Sequence, residues 1–307
     1  MKRSMCLKLT VCSAVFIILI ALFQHFTTDK KDVSPEKVTV YLSTNKQIIT
    51  LNYEEFLIGC IMGSGVPSYE EEALKAIACA YNTMSIYQLS SKNGFLNNGA
   101  DFSDHGVLPY ISPEEAKRTY KSSYDIYLKK AKNAVKYGIS RVIMYENEPI
   151  YAAMCFLSSG VTDLSDKYPY LRVAQCPKDK KSELYESTRT FTPNQIRITL
   201  KGHAPAAKLD GNFAEWFSEP EYSSSGTLEQ IYFGGAPISG KKLMNALGLE
   251  SPAIEIRFSE DKFTFICHGE GGNLGISQYT ANSLAQKGLE WREIIEYFYK
   301  DVHIEKI

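Results

Sequence analysis

One short stretch sets an acid and a histidine among glycines: His268-Gly269-Glu270-Gly271-Gly272. A carboxylic acid in such a loop can give a proton to a departing oxygen and take one back, provided burial raises its pKa toward neutral. In open solvent the same Glu270 is an ordinary loop carboxylate. Just beyond it, Ser277, Gln278 and Tyr279 could contact a polar ligand, although a serine at a helix start serves equally well as an N-cap. Glu70, Glu71 and Glu72 fall where a helix begins, and three acids there suit the positive end of its dipole. Asp101, Asp104 and His105 share one loop, yet one histidine and two acids make a poor zinc set beside the usual four ligands. Cys60, Cys79, Cys155, Cys176 and Cys267 are widely spaced, without a C-x-x-C pair, and read as small core residues. No metal site and no cofactor is expected.

These residues need elements to hold them. The pattern predicts a hairpin, Val38–Ser43 and Gln47–Leu51, turning at Thr44-Asn45-Lys46. A helix follows, with Ser68 and Glu71 spaced as a capping box and apolar residues recurring at Leu74, Ile77, Ala78, Tyr81, Met84 and Ile86. A second helix starts at Ser112-Pro113-Glu114-Glu115 and stops at Gly138. Beyond it come strands: Arg141–Tyr145, Ile150–Leu157, Gln195–Leu200, Gln230–Phe233, Ile254–Phe258 and Phe263–Cys267. Short helices are expected at Gly240–Leu247, Ser277–Lys287 and Trp291–Tyr299. Mixed runs without regular β-α-β alternation argue an α+β fold.

Composition is that of a globular chain: 307 residues, 44% hydrophobic and 22% charged. The formal net charge of −1 gives no field that would draw it to nucleic acid. The 20 tyrosines supply rings that can stack on sugars, though partly exposed core edges account for them as well. At the N-terminus, Lys2, Arg3 and Lys8 precede an apolar run from Leu9 to Phe23, with no small-x-small cleavage site after it. Residues 1–26 therefore read as a cytoplasmic tip and transmembrane signal anchor, 27–37 as a linker and 38–307 as a single ectodomain; a cleaved signal is the alternative.

Five separated segments resemble, in order, the stage II sporulation protein D family. Tyr53-Glu54-Glu55-Phe56-Leu57-Ile58-Gly59 is like its "L-E-E-Y-V-x-G" opening. Glu72-Ala73-Leu74-Lys75-Ala76-Ile77-Ala78 is like "E-A-L-K-A-Q-A". The stretch from Val142 through Pro149-Ile150 and Ala152 to Ser158-Ser159-Gly160-Val161-Thr162 follows its hairpin. Leu247-Gly248-Leu249 and Ser251 form the fourth piece, and Gly275-Ile276-Ser277-Gln278-Tyr279 resembles "G-M-S-Q-Y". The resemblance implies an exported, anchored wall protein of spore formers. Members either cleave peptidoglycan glycan strands as lytic transglycosylases or stimulate a partner amidase.

Lytic transglycosylation needs one protonated acid, which protonates the glycosidic oxygen and then takes the proton of the sugar's own C6 hydroxyl as an anhydro ring closes. No second carboxylate is obligatory, because that hydroxyl replaces water as the nucleophile. The family's acid is the glutamate of "A-x-E-M-P". Here the stretch reads Met62-Gly63-Ser64-Gly65-Val66-Pro67, so the position is Gly65 counted from the proline or Ser64 counted from Gly59. Neither can donate the proton. The family's loop histidine also falls on a glycine, Gly272, and the cysteines of some relatives' zinc-like cluster are missing. The resemblance therefore implies a weakened or inactive member, binding glycan or assisting a partner wall hydrolase outside the cytoplasm. Ser64, Gly65, Ser159, Thr162, Ser277, Gln278 and Tyr279 are its groove candidates. An active enzyme with Glu270 as a relocated acid is the alternative. If the Gly63–Pro67 and Gly269–Gln278 loops meet, the groove between two lobes is the natural glycan site.

Overall fold

Lys46 takes a positive φ of 57° and turns β1 (Lys37–Leu42) back into β2 (Gln47–Asn52), with Val40 facing Ile49 across the pair. The computed structural model describes residues 34–90 and 99–307, so the apolar run Leu9–Phe23 lies outside the described residues. Among those, no helix is long and apolar enough to cross a membrane.

Asn52 ends the hairpin and caps α1 (Tyr53–Gly63), its side chain accepting from the Glu54 N–H at 3.0 Å. Buried Tyr53, Phe56, Leu57, Cys60 and Ile61 recur at helical spacing. Phe56 stacks on Phe102 of the two-residue strand β3 (Phe102–Ser103), ring centroids 4.5 Å apart. The long helix α2 (Glu71–Ser90) is buried along most of its length, Ala73 through Ile86. It begins after Ser68 rather than being capped by it. The Glu70 N–H instead donates to the Asn282 side chain at 2.8 Å, so the start is fixed from a distant segment.

The expected single helix from Ser112 to Gly138 is two helices. Ser112 caps α3 (Pro113–Tyr120) as its sequence requires, accepting from the Glu115 N–H. Lys121 then breaks the helix at φ 47°, and α4 (Tyr124–Gly138) follows. Gly138 permits a close crossing: a Cβ there would lie 2.7 Å from backbone atoms of Ala78 and Cys79 in α2. Next come β4 (Arg141–Tyr145), β5 (Glu148–Pro149) and β6 (Met154–Leu157).

The chain then leaves this first core and builds a second. β7 (Glu186–Phe191) leads to α5 (Pro193–Leu200), where the pattern had indicated a strand. Thr192 and Gln195 form a complete capping box around Pro193, and Ile196 and Leu200 are buried one turn apart. The cap and the four-residue spacing overrule β-branched Ile196, Ile198 and Thr199. β8 (Phe217–Tyr222), β9 (Leu228–Phe233) and β10 (Ala236–Ser239) form one antiparallel sheet; α6 (Gly240–Leu247) packs beside it. β11 (Ile254–Ser259) and β12 (Lys262–His268) form another sheet with β7. Trp216, Phe233, Phe263 and Phe265 fill the space between them.

The last segment returns to the first core. β13 (Glu270–Gly271) pairs antiparallel with β6, and β14 (Ile276–Ser277) pairs with it in parallel. α7 (Gln278–Gln286) and α8 (Trp291–Phe298) lie against α2, and β15 (His303–Lys306) joins β4. The architecture is α+β, with two hydrophobic cores inside the compact unit Glu36–Lys306. The second core is inserted between two passes of the chain through the first.

Candidate functional site

The Gly63–Pro67 turn and the loop after Gly269 border one cavity. Both contribute to a groove of about 1120 Å³, walled on one side by first-core residues and on the other by Thr227, Glu229 and the Lys241, Met244, Asn245 face of α6. That volume exceeds an ordinary small-ligand pocket and suits an extended ligand.

Ser64 lines this groove; Gly65 does not. Ser64 closes α1 with helical dihedrals, φ −76° and ψ −3°, and its hydroxyl donates to the Ile61 carbonyl at 2.9 Å. Gly65 has φ 77°, a left-handed conformation, and a Cβ there would meet nothing within 4 Å. Tyr81, buried in α2, lines the groove with Ser64, and its hydroxyl accepts from Gln278 Nε2 at 2.9 Å. Burial pushes the Tyr81 phenol up, so it stays protonated.

Glu270 reaches the same groove from β13. A bulge between Glu270 and Gly271 shifts the register against β6, and such irregularities re-aim side chains. Gly271 is required there: its φ is 103°, and a Cβ would lie 2.9 Å from that of Cys155. Half-burial raises the Glu270 pKa above the ordinary carboxylate value, and nearby Glu250 adds to the rise. Glu270 and Gln278 join Ser64 in lining the groove.

The other groove candidates sit beside it, engaged in holding its walls. Ser159 donates through Oγ to the Ser225 carbonyl at 2.9 Å and through N–H to Asn273 Oδ1 at 2.9 Å. Thr162, fully buried, donates to the Arg172 carbonyl and accepts from the Ala174 N–H. Ser277 caps α7, accepting from the Thr280 N–H at 3.2 Å, and its hydroxyl donates inward. Tyr279 is half-buried next to Tyr69, outside the groove lining.

The hub of this support is Asp179, which the sequence pattern had not singled out. It is fully buried. Its Oδ2 accepts from the Ser158 N–H, Ser158 Oγ and Ser277 Oγ, each at 2.7 Å, and its Oδ1 from Thr280 Oγ1 at 2.6 Å. One carboxylate thus ties the end of β6 to the start of α7. Buried carboxylates persist where donors surround them, and this one has four. The only sequence signal was an aspartate in a lysine-rich segment, Lys178-Asp179-Lys180-Lys181, which reads as a solvated run. Asn273, at φ 55°, plays the matching part between the cores: it holds Ser159 and donates to Thr227 Oγ1 at 3.0 Å.

The described acids of the loop before α3 are already engaged. Asp101 accepts from Thr39 N–H and Oγ1, both at 2.7 Å, and Asp104 from Ser43 N–H and Oγ at 2.8 and 2.6 Å. Asp101 thus holds β1 and Asp104 the residue that follows it. Among the described residues no cluster of His, Cys, Asp and Glu could hold a metal ion. The five described cysteines are free and buried, and burial pushes the Cys176 thiol up to about 11.

Compared with known proteins, the chain is 30% identical over 280 residues to the stage II sporulation protein D of Bacillus subtilis (strain 168), covering 89% of this chain and 80% of that one. It is 27% identical over 284 residues to the protein of the same name from Bacillus amyloliquefaciens, again covering 89% and 80%. No family model matches.

Proposed function

Because the chain belongs to the stage II sporulation protein D family, we propose that its groove binds peptidoglycan glycan strands during sporulation without cutting them at the family's acid position. One observation carries this reading. The position that faces the groove is Ser64, whose hydroxyl cannot supply the proton that glycosidic cleavage requires. The bound strand is then held for a partner wall hydrolase, such as an amidase. On this reading Leu9–Phe23 anchors the chain in the membrane and Glu36–Lys306 faces the wall.

A second reading rests on Glu270. It is half-buried, lines the groove and holds its proton above the ordinary range, as a relocated general acid would. It would protonate the glycosidic oxygen and then accept the C6 hydroxyl proton as the anhydro ring closes.

Mass spectrometry of purified peptidoglycan after incubation with the protein separates the two. The first reading expects sedimentation with peptidoglycan and no anhydro-muramyl products, beside an active relative as positive control. Anhydro products lost on Glu270→Gln would establish the second reading and overturn the first.

A further inference from the structure

Two lysines line the groove, one from each side. Lys167 lies in the loop after β6 and Lys241 in the first turn of α6, and both line the cavity. Neither is ion-paired among the described residues. The Lys167 ammonium lies over the Tyr168 ring, 5.1 Å from its centroid. Tyr168 in turn stacks on Tyr151 at 4.6 Å and 12°, and Tyr87 packs edge-on against Tyr151 at 5.5 Å. A lysine loses much rotamer freedom when it binds an anion. The tyrosine ladder has already restricted Lys167, which lowers that cost. Lys241 is carried on a helix that Ser239 caps, its hydroxyl accepting from the Lys242 N–H at 3.3 Å.

The groove also carries acids, and they differ in availability. Asp163 is satisfied by Ser223 Oγ at 2.7 Å and the Leu164 N–H at 2.9 Å. Glu229 is exposed and Glu270 half-buried. Two unpaired cations lining one extended cavity from opposite sides match a ligand with repeated negative charge along its length.

We propose that Lys167 and Lys241 bind carboxylates pendant on the glycan strand, making the groove selective for acidic sugar strands over neutral ones. This rests on the glycan-binding reading above. The carboxylate can come from the lactyl ether of a peptide-free muramic residue or from an attached stem peptide. Both present the same planar anion to an ammonium group.

The test measures binding of the full chain to three probes: a neutral chitooligosaccharide, amidase-stripped glycan strands and peptide-bearing strands. The acidic probes are expected to bind roughly tenfold tighter than the neutral one, as charge-assisted hydrogen bonds provide. The Lys167→Gln/Lys241→Gln double variant should bind all three alike, and Lys242→Gln, adjacent on α6 but outside the groove, should behave as the parent. Tight binding of stripped strands assigns the lactyl carboxylate; tight binding of peptide-bearing strands alone assigns the stem peptide. Either supports the proposal. Equal binding of neutral and acidic probes, unchanged in the double variant, overturns it and leaves the glycan reading standing. Binding of no probe overturns both.

Discussion

Ser64 and Gly65 are the two positions onto which the resemblance maps the family's acid, and they sit differently. Ser64 faces the groove from a backbone any L residue accepts; Gly65 faces away at φ 77°. Ser64→Glu is therefore expected to release anhydro-muramyl products from purified peptidoglycan, and Gly65→Glu to release none. Glu270 gives a second test. Its folded-state pKa is raised above the ordinary value of 4.5. The stability it contributes is thus full below that value and lost as pH rises through the raised one. Glu270→Gln should melt higher than the parent near neutral pH, and the difference should vanish by about pH 4. Loss of Asp179 is costly because four donors converge on it. Asp179→Ala leaves Ser158, Ser277 and Thr280 without their acceptor, at about 1–3 kcal/mol for each buried group left unsatisfied. Urea unfolding should show a fall of about 3 kcal/mol or more, with peptidoglycan sedimentation lost. Ser64 and Gln278 were legible from their spacing in a motif, and Glu270 as an acid among glycines. Asp179 was not legible, because its role exists only where β6 and α7 converge.

At the scale of elements, sequence reading worked where local signals sufficed and failed where β-branching misled it or a distant partner decided. The hairpin of β1 and β2 and the Ser112 start of α3 carry local signals, and the structure follows them. In α5, β-branched residues argued for a strand while the Thr192 capping box argued for a helix, and the cap prevailed. Thr192→Ala should accordingly lower stability by about 1 kcal/mol, seen as a lower urea midpoint with an unchanged slope. The start of α2 shows the opposite limit. Ser68 and Glu71 had the right spacing, yet Asn282, distant in sequence, fixes that terminus instead. A pattern of a few residues cannot report a partner that only folding supplies.

At the scale of the whole molecule, two cores share a groove whose walls are stitched together. Ser159 bonds to the Ser225 carbonyl, Asn273 to Thr227 and Asp163 to Ser223, all across the seam between first-core loops and the 223–227 turn. Such links make the groove largely preformed, so little ordering is required when a strand binds. Hydrogen exchange should show glycan protecting both walls together, around 163–168 and 239–245. Asn273→Ala should speed exchange in 158–163 and 223–227 as one unit. The sequence indicated two loops from opposite ends of the chain that could meet. It gave no sign that the second core is an insertion, since nothing local marks where a chain leaves one core and returns.

The left-handed turn at Gly65 also bears on how such a chain could change over generations. A single base change converts some glycine codons to glutamate, but here that change puts the acid on strained backbone pointing into open solvent. No serine codon lies one base from glutamate, so the position that does face the groove is separated from the acid by an intermediate that lacks it. The easily reached substitution is the unproductive one, and the productive one has no advantageous first step. While serine holds the position that lines the groove, at least two base changes separate it from the acid.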